Sequence, residues 1–174
     1  MNRRGSVELD ENLLRRRLTR ALARGGDYAD LFMGRVEDRI LRWENAGLAE
    51  AELNRSAGLG IRVLSGPRTG YAYSEDFDPR ALEAVANTAA HVAAGSGGAP
   101  PAELFVAPDL PDRHPERRAL DSCELGEKIA LLEAMQARVD EEPRLERMMA
   151  SYVDSRREIL VAGSEGLLVR DSQP

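Results

Sequence analysis

The sequence predicts an α+β fold: a mostly antiparallel sheet of about five to seven strands with three helices packed on one side. Three observations carry this reading. Apolar and polar residues alternate with a period of two through residues 28–55 and again after 145, the mark of half-buried strands. Three other stretches repeat their apolar residues at the spacing of one helical face. Turn signals, Asn45-Ala46-Gly47 and Gly66-Pro67, stand between neighbouring strand-like runs.

In chain order, Leu9 to Arg24 reads as the first helix. Leu14, Leu18, Ala21 and Leu22 share a face, Asp10 is the N-cap, Glu11 suits the first turn, and Gly25-Gly26 stops it. Arg15, Arg16, Arg17 and Arg20 make the other faces polar, as on a solvated helix. Strands follow at about 28–36, 38–44 and 47–55. Residues 58–74 form a hairpin, with Ile61, Val63, Tyr71 and Tyr73 as β-formers and Ser65 to Arg68 as the turn. Gly58, Gly60, Gly66 and Gly70 sit in or beside its strands. A glycine inside a strand usually marks a bulge or the close approach of another chain segment.

Asp78-Pro79 opens the second helix, because Asp caps and Pro tolerates the first helical position. Leu82, Val85, Ala86, Ala89 and Ala93 form its buried stripe, Gly95 is its C′ residue, and its many alanines imply close packing. Residues 95–120, rich in Pro and Gly, read as a mobile surface loop. The third helix is placed from Asp121, with Asp121 and Glu124 at capping-box spacing, to about Glu142-Pro143. Its apolar face is Leu125, Ile129, Leu132, Met135 or Gln136, and Val139. Strands at 145–153 and 158–162 follow, and Gly163-Ser164-Glu165-Gly166 turns into Leu167-Leu168-Val169.

Bulk properties narrow the function. A chain of 174 residues favours one domain. At this length roughly 70% of the unfolded surface can be buried, so no staple is required. A net charge of −6, with no basic stripe, argues against a nucleic-acid surface. All but one of the 24 basic residues are arginine, interleaved with acids; Lys128 is the exception. The single cysteine, Cys123, excludes an internal disulfide and fits a reducing cytoplasm. No apolar run reaches membrane-spanning length, and the N-terminus has no secretory h-region.

The hairpin run Gly58-Leu59-Gly60-Ile61-Arg62-Val63-Leu64-Ser65-Gly66-Pro67-Arg68-Thr69-Gly70-Tyr71-Ala72-Tyr73 resembles the N-terminal domain of the TldD/PmbA family, metalloproteases once called modulators of DNA gyrase. Gly26-Asp27-Tyr28-Ala29-Asp30-Leu31-Phe32 resembles that family's first strand. Glu158-Ile159-Leu160-Val161-Ala162 with Ser164-Glu165-Gly166 resembles the strand and turn that close the domain. The resemblance runs from about Leu13 onward and covers only the family's first domain.

It implies zinc peptidase chemistry, carried by a His-Glu-x-x-x-His motif in a C-terminal domain expected to lie outside this chain. It also implies unfolded or small peptides as substrates and a homodimer or a heterodimer with a related subunit. The segment would wall the substrate cavity and be inactive alone. Some family subunits lack the metal motif, although this region looks closer to the TldD side. The alternative is a non-catalytic peptide- or partner-binding module of a protease complex.

The residues themselves carry little catalytic signal. His91 and His114 are isolated, and with Cys123 they make no zinc ligand pattern. Cys123 would need a lowered pKa, which Asp121 and Glu124 oppose. Gly58-x-Gly60 lacks the third glycine and following helix of a dinucleotide loop. The pairs Glu37-Asp38, Glu75-Asp76 and Glu141-Glu142 read as solvated turns. No catalytic or metal residue is therefore assigned. The candidate peptide or inter-domain contacts are Trp43, Gly58, Gly60, Arg62, Gly70, Tyr71 and Tyr73, with a plain packing role for the aromatics ahead of a binding platform.

Overall fold

The computed structural model describes residues 10–94 and 117–174, and between them 102, 103, 105, 106, 108, 111, 114 and 115. Three helices, α1 (Glu11–Leu22), α2 (Pro79–Val92) and α3 (Leu125–Asp140), accompany one antiparallel sheet. Its strands are β1 (Tyr28–Glu44), β2 (Gly47–Ser65), β3 (Arg68–Ser74), β4 (Met149–Gly163) and β5 (Leu168–Gln173), in the order β3-β2-β1-β4-β5. No helix among the described residues is long and apolar enough to cross a membrane.

The strands are longer than the sequence reading placed them. Residues 28–36 and 38–44 are one strand, as are 47–55 and the first arm of the hairpin, and as are 149–153 and 158–162. A strand breaks where glycine or proline interrupts the ladder, and Val36-Glu37-Asp38-Arg39 has neither. Its charges are held instead. Glu37 accepts from Arg39 and Arg55, both at 2.7 Å, and Asp38 accepts from Ser155 Oγ at 2.6 Å. At the start of β4 the correction runs the other way. Leu145 N–H donates to Glu142 O and Arg144 folds back on the Glu142 carboxylate, so a turn occupies the first predicted positions.

Two compact units divide the chain. The first comprises Met1–Arg35, Ala57–Pro111 and Glu158–Asp171; the second comprises Val36–Ser56, Asp112–Arg157 and Ser172–Pro174. In the first, the predicted faces of α1 and α2 pack together with the inward residues of the strands. Leu14, Leu18, Ala21 and Leu22 meet Leu82, Val85, Ala86 and Ala89 over Ala29, Leu31, Leu59, Ile61, Val63, Leu160 and Leu168. Each fully buried leucine or isoleucine here contributes about 1.5–3 kcal/mol by leaving water.

Both helix starts follow the sequence. Asp10 accepts from Asn12 N–H, and Asp78 accepts from Arg80 and Ala81 N–H at 2.7 and 2.8 Å. The two helices are tied through Arg20 Nε donating to Asn87 Oδ1 at 2.6 Å and Arg17 donating to Pro79 O at 2.9 Å. Gly70 lets α2 lie directly on β3: a Cβ there would collide with the Ala89 carbonyl and lie 2.7 Å from Ala93 N. The hairpin turn is Gly66-Pro67, with Ser65 paired to Arg68 and Gly66 at φ +55°, as a two-residue type II′ turn requires.

Within the 95–120 connection, Ala102 is buried and donates to Thr19 Oγ1, Glu103 N–H donates to Ser164 O, and Val106 pairs with Leu167. The Gly-rich start of that connection, with the expected helix end at Gly95, lies outside the described residues.

In the second unit, α3 begins later than expected. Leu120–Ser122 forms a 3₁₀ turn held by Ser122 Oγ donating to Ala119 O and Arg118 donating to Ser122 O. That turn consumes Asp121, so the capping box is made by Glu124 and Glu127. The face of α3 resolves in favour of Gln136 over Met135, and Leu125 is exposed. Leu132 packs with Leu41, Trp43 and Met148, flanked by Ile129, Val139, Ala150 and Tyr152. The β1–β2 turn is Asn45-Ala46, both residues at positive φ.

Candidate functional site

In the first unit, alternation along each strand gives the sheet a second face that carries none of the helical packing. Ala29 and Leu31 point into the core, so Tyr28, Asp30 and Phe32 face out. Leu59, Ile61 and Val63 point in, so Gly58, Gly60 and Arg62 face out. On β3, Ala72 packs on the core while Tyr71 and Tyr73 face out, 58% and 73% exposed, their rings stacked at 6.4 Å. The Tyr71 ring lies over Gly60, which has no side chain to hold it off.

Arg62 binds this face to β1 by donating from Nε (3.1 Å) and Nη2 (2.5 Å) to Asp30 Oδ2. That bond and the Asp30 charge hold Arg62 more firmly charged than usual. Burial, followed by the Asp30 charge, pushes the Tyr28 phenol above its ordinary value. The described part of this face thus combines aromatic rings with the Arg62–Asp30 ion pair.

Five of the seven expected contact residues, Gly58, Gly60, Arg62, Tyr71 and Tyr73, meet on this face. Gly70 lies on the inner side under α2 and serves helix packing. Trp43 is 5% exposed in the core of the second unit, donates from Nε1 to Gln136 Oε1 at 3.0 Å and packs with Leu41, Leu132 and Met148. Sequence reasoning passed over Tyr28, Asp30 and Phe32. Their signal was available, because the two-residue period that buries Ala29 and Leu31 places them opposite.

The second unit holds a polar cluster that was also missed. Lys128, the chain's one lysine, has a 3%-exposed side chain and donates to Asp154. Its Nζ stands 5.7 Å from the Tyr152 ring centroid, and Arg39 comes within 3.9 Å of Asp154. Burial, then the Asp154 charge, raises the Tyr152 phenol. Nearby, Cys123 is bonded to Glu127, which pushes its thiol up, aided by partial burial. A thiol held protonated is a poor nucleophile.

Among the described residues no group of three His, Cys, Asp or Glu side chains is placed to hold a metal ion. His91 Nδ1 is engaged with Asn87 O at 2.7 Å, and His114 is exposed.

Residues 29–93 match the family model of PmbA/TldA metallopeptidase domain 1. The metalloprotease TldD homolog of Haemophilus influenzae is 30% identical over 153 residues, covering 85% of this chain and 31% of that protein. TldE of Thermococcus kodakarensis, a solved structure, superposes with a TM-score of 0.64 at 20% identity, over 94% of this chain and 36% of that one. A modulator of DNA gyrase from Bacteroides thetaiotaomicron gives a TM-score of 0.66 at 14% identity, over 93% and 38%. At those identities the two solved structures support the fold alone. The fold and the matched hairpin define a first domain of metallopeptidase type. The matches fit the N-terminal domain of the TldD/PmbA family, and the chain spans about a third of the length of the curated relatives it matches.

Proposed function

We propose that this chain is the N-terminal, substrate-cavity domain of a TldD/PmbA-like zinc metallopeptidase that acts on unfolded or small peptides. The observation that carries the reading is β3: it ends the sheet and flanks an uncovered aromatic face. An exposed strand edge recognises extended chain through main-chain hydrogen bonds, without regard to sequence and without cutting it. The domain's part is then to admit and align extended peptide, while the metal chemistry belongs to other residues of the full-length protein. The proposed partner is a related subunit, in a homodimer or heterodimer, and the proposed setting is the cytoplasm.

The test titrates the 174-residue chain with an unstructured peptide and with a disulfide-stapled folded peptide of the same composition, with and without added zinc, followed by mass spectrometry. Binding of the unstructured peptide alone, with no cleavage products, supports the reading. Cleavage that rises with zinc places the catalytic groups in this chain and overturns it, as does equal binding of the folded peptide.

A further inference from the structure

We propose that the free edge of β3 takes an extended peptide of about six residues, antiparallel to β3, with its carboxylate at Arg68 and its amino group at Glu75 and Asp76. This rests on the peptide-binding reading above and deepens it to an edge, a direction and a side-chain class.

The main chain supplies the first argument. Ser65 and Arg68 flank a two-residue turn and so form a hydrogen-bonded pair. Such pairs alternate along an antiparallel ladder, which puts Gly70, Ala72 and Ser74 in bonds to Val63, Ile61 and Leu59. The N–H and C=O groups of Thr69, Tyr71 and Tyr73 therefore point the other way. Among the described residues β3 is the outermost strand, so they face the open edge.

Charge supplies the second. Arg68 is exposed at the start of β3, and Glu75 and Asp76 are exposed just beyond its end. A peptide with free termini satisfies both only when it runs against β3. Seven residues of strand at about 3.3 Å each match a peptide of six or seven residues.

Side chains supply the third. Residues of the peptide turned outward lie beside Tyr71 and Tyr73, surfaces for apolar or aromatic groups. Residues turned inward meet α2, which packs on β3. The α1 side of α2 is fixed by Glu83 and Asn87, bound to Arg17 and Arg20. The flank away from α1 carries Ala81, Thr88 and Val92, which are small or apolar and uncharged. The peptide class is thus uncharged between its termini.

The test is a backbone-amide NMR titration of the whole chain with a valine- and threonine-rich hexapeptide, as the free acid and as the C-terminal amide. Thr69, Tyr71 and Tyr73 amides shift most, and the amide form binds roughly two- to fivefold more weakly, as loss of one exposed charge pair predicts. Arg68→Gln brings the two forms to equal affinity. Tyr73→Pro, which removes an edge-facing donor at a position an edge strand tolerates, weakens binding about tenfold, while Tyr73→Thr, which keeps the donor, weakens it less than about threefold. Equal effects of Pro and Thr, tighter binding of the amide, or saturable shifts confined to other residues overturn the edge assignment and leave the peptide-binding reading standing. No binding by either peptide overturns both.

Discussion

The Tyr71 ring rests on the backbone of Gly60, one strand away, so closely that a Cβ at Gly60 would lie 2.8 Å from ring carbons Cε2 and Cζ. The two residues together make the flat aromatic face of β2 and β3. Gly60→Ala therefore pushes an exposed, movable ring aside and leaves the core alone. The expected change in unfolding free energy is within about 1 kcal/mol, because the alanine's gain in strand entropy offsets the displaced contact. The Tyr71–Tyr73 stack is nevertheless lost, which NMR ring shifts of both tyrosines report.

Gly70 behaves oppositely. A Cβ there meets the Ala89 carbonyl and Ala93 N, and helix backbone cannot swing away as a ring can. Gly70→Ala forces α2 off β3 at a cost of about 3 kcal/mol. A urea midpoint lowered in that proportion checks it; a cost similar to that of Gly60→Ala refutes the close approach.

Lys128 and Asp154 face each other out of water. Asp154→Ala leaves an unpaired buried ammonium and costs about 3–5 kcal/mol, whereas the double variant Lys128→Met/Asp154→Leu recovers most of that loss. Denaturant unfolding of the parent and the two variants measures the loss and its recovery.

Acid stability follows from Glu37. The bonds from Arg55, chiefly, and the charges of Arg55 and Arg39 hold its carboxyl below the ordinary 4.5. A depressed folded-state value means that its stabilisation is present above about pH 4.5 and is lost as pH falls through the lower, folded value. Urea midpoints measured from pH 7 to 3 fall less steeply at the acid end in Glu37→Gln than in the parent chain.

These relationships also show where sequence is informative. The hairpin was legible because Gly66-Pro67 and the Tyr71/Tyr73 alternation are local signals, and α1 and α2 because a cap and a single apolar face agree. Continuity of β1, β2 and β4 was not legible. It depends on Arg55 donating to Glu37 and Ser155 donating to Asp38 across strands, which no local pattern records. The start of α3 was misplaced because Asp121 and Glu124 mimic a capping box that Glu124 and Glu127 in fact form. Trp43 takes the packing role favoured for the aromatics, against Leu132 of α3, whereas no local pattern marks Lys128, itself on α3, as buried against Asp154. The outward face was half legible: period two placed Asp30 beside Tyr28 on one side, but only the strand order brought Arg62 to it.

Hydrogen exchange at β3 tests the central claim most directly. Gly70 and Ala72 amides are bonded to β2 and exchange slowly with or without peptide, while Thr69, Tyr71 and Tyr73 amides face the open edge and exchange fast in the free chain. A saturating unstructured peptide slows the second set at least tenfold and leaves the first set unchanged. Unaltered exchange at Thr69, Tyr71 and Tyr73 under saturation contradicts the account.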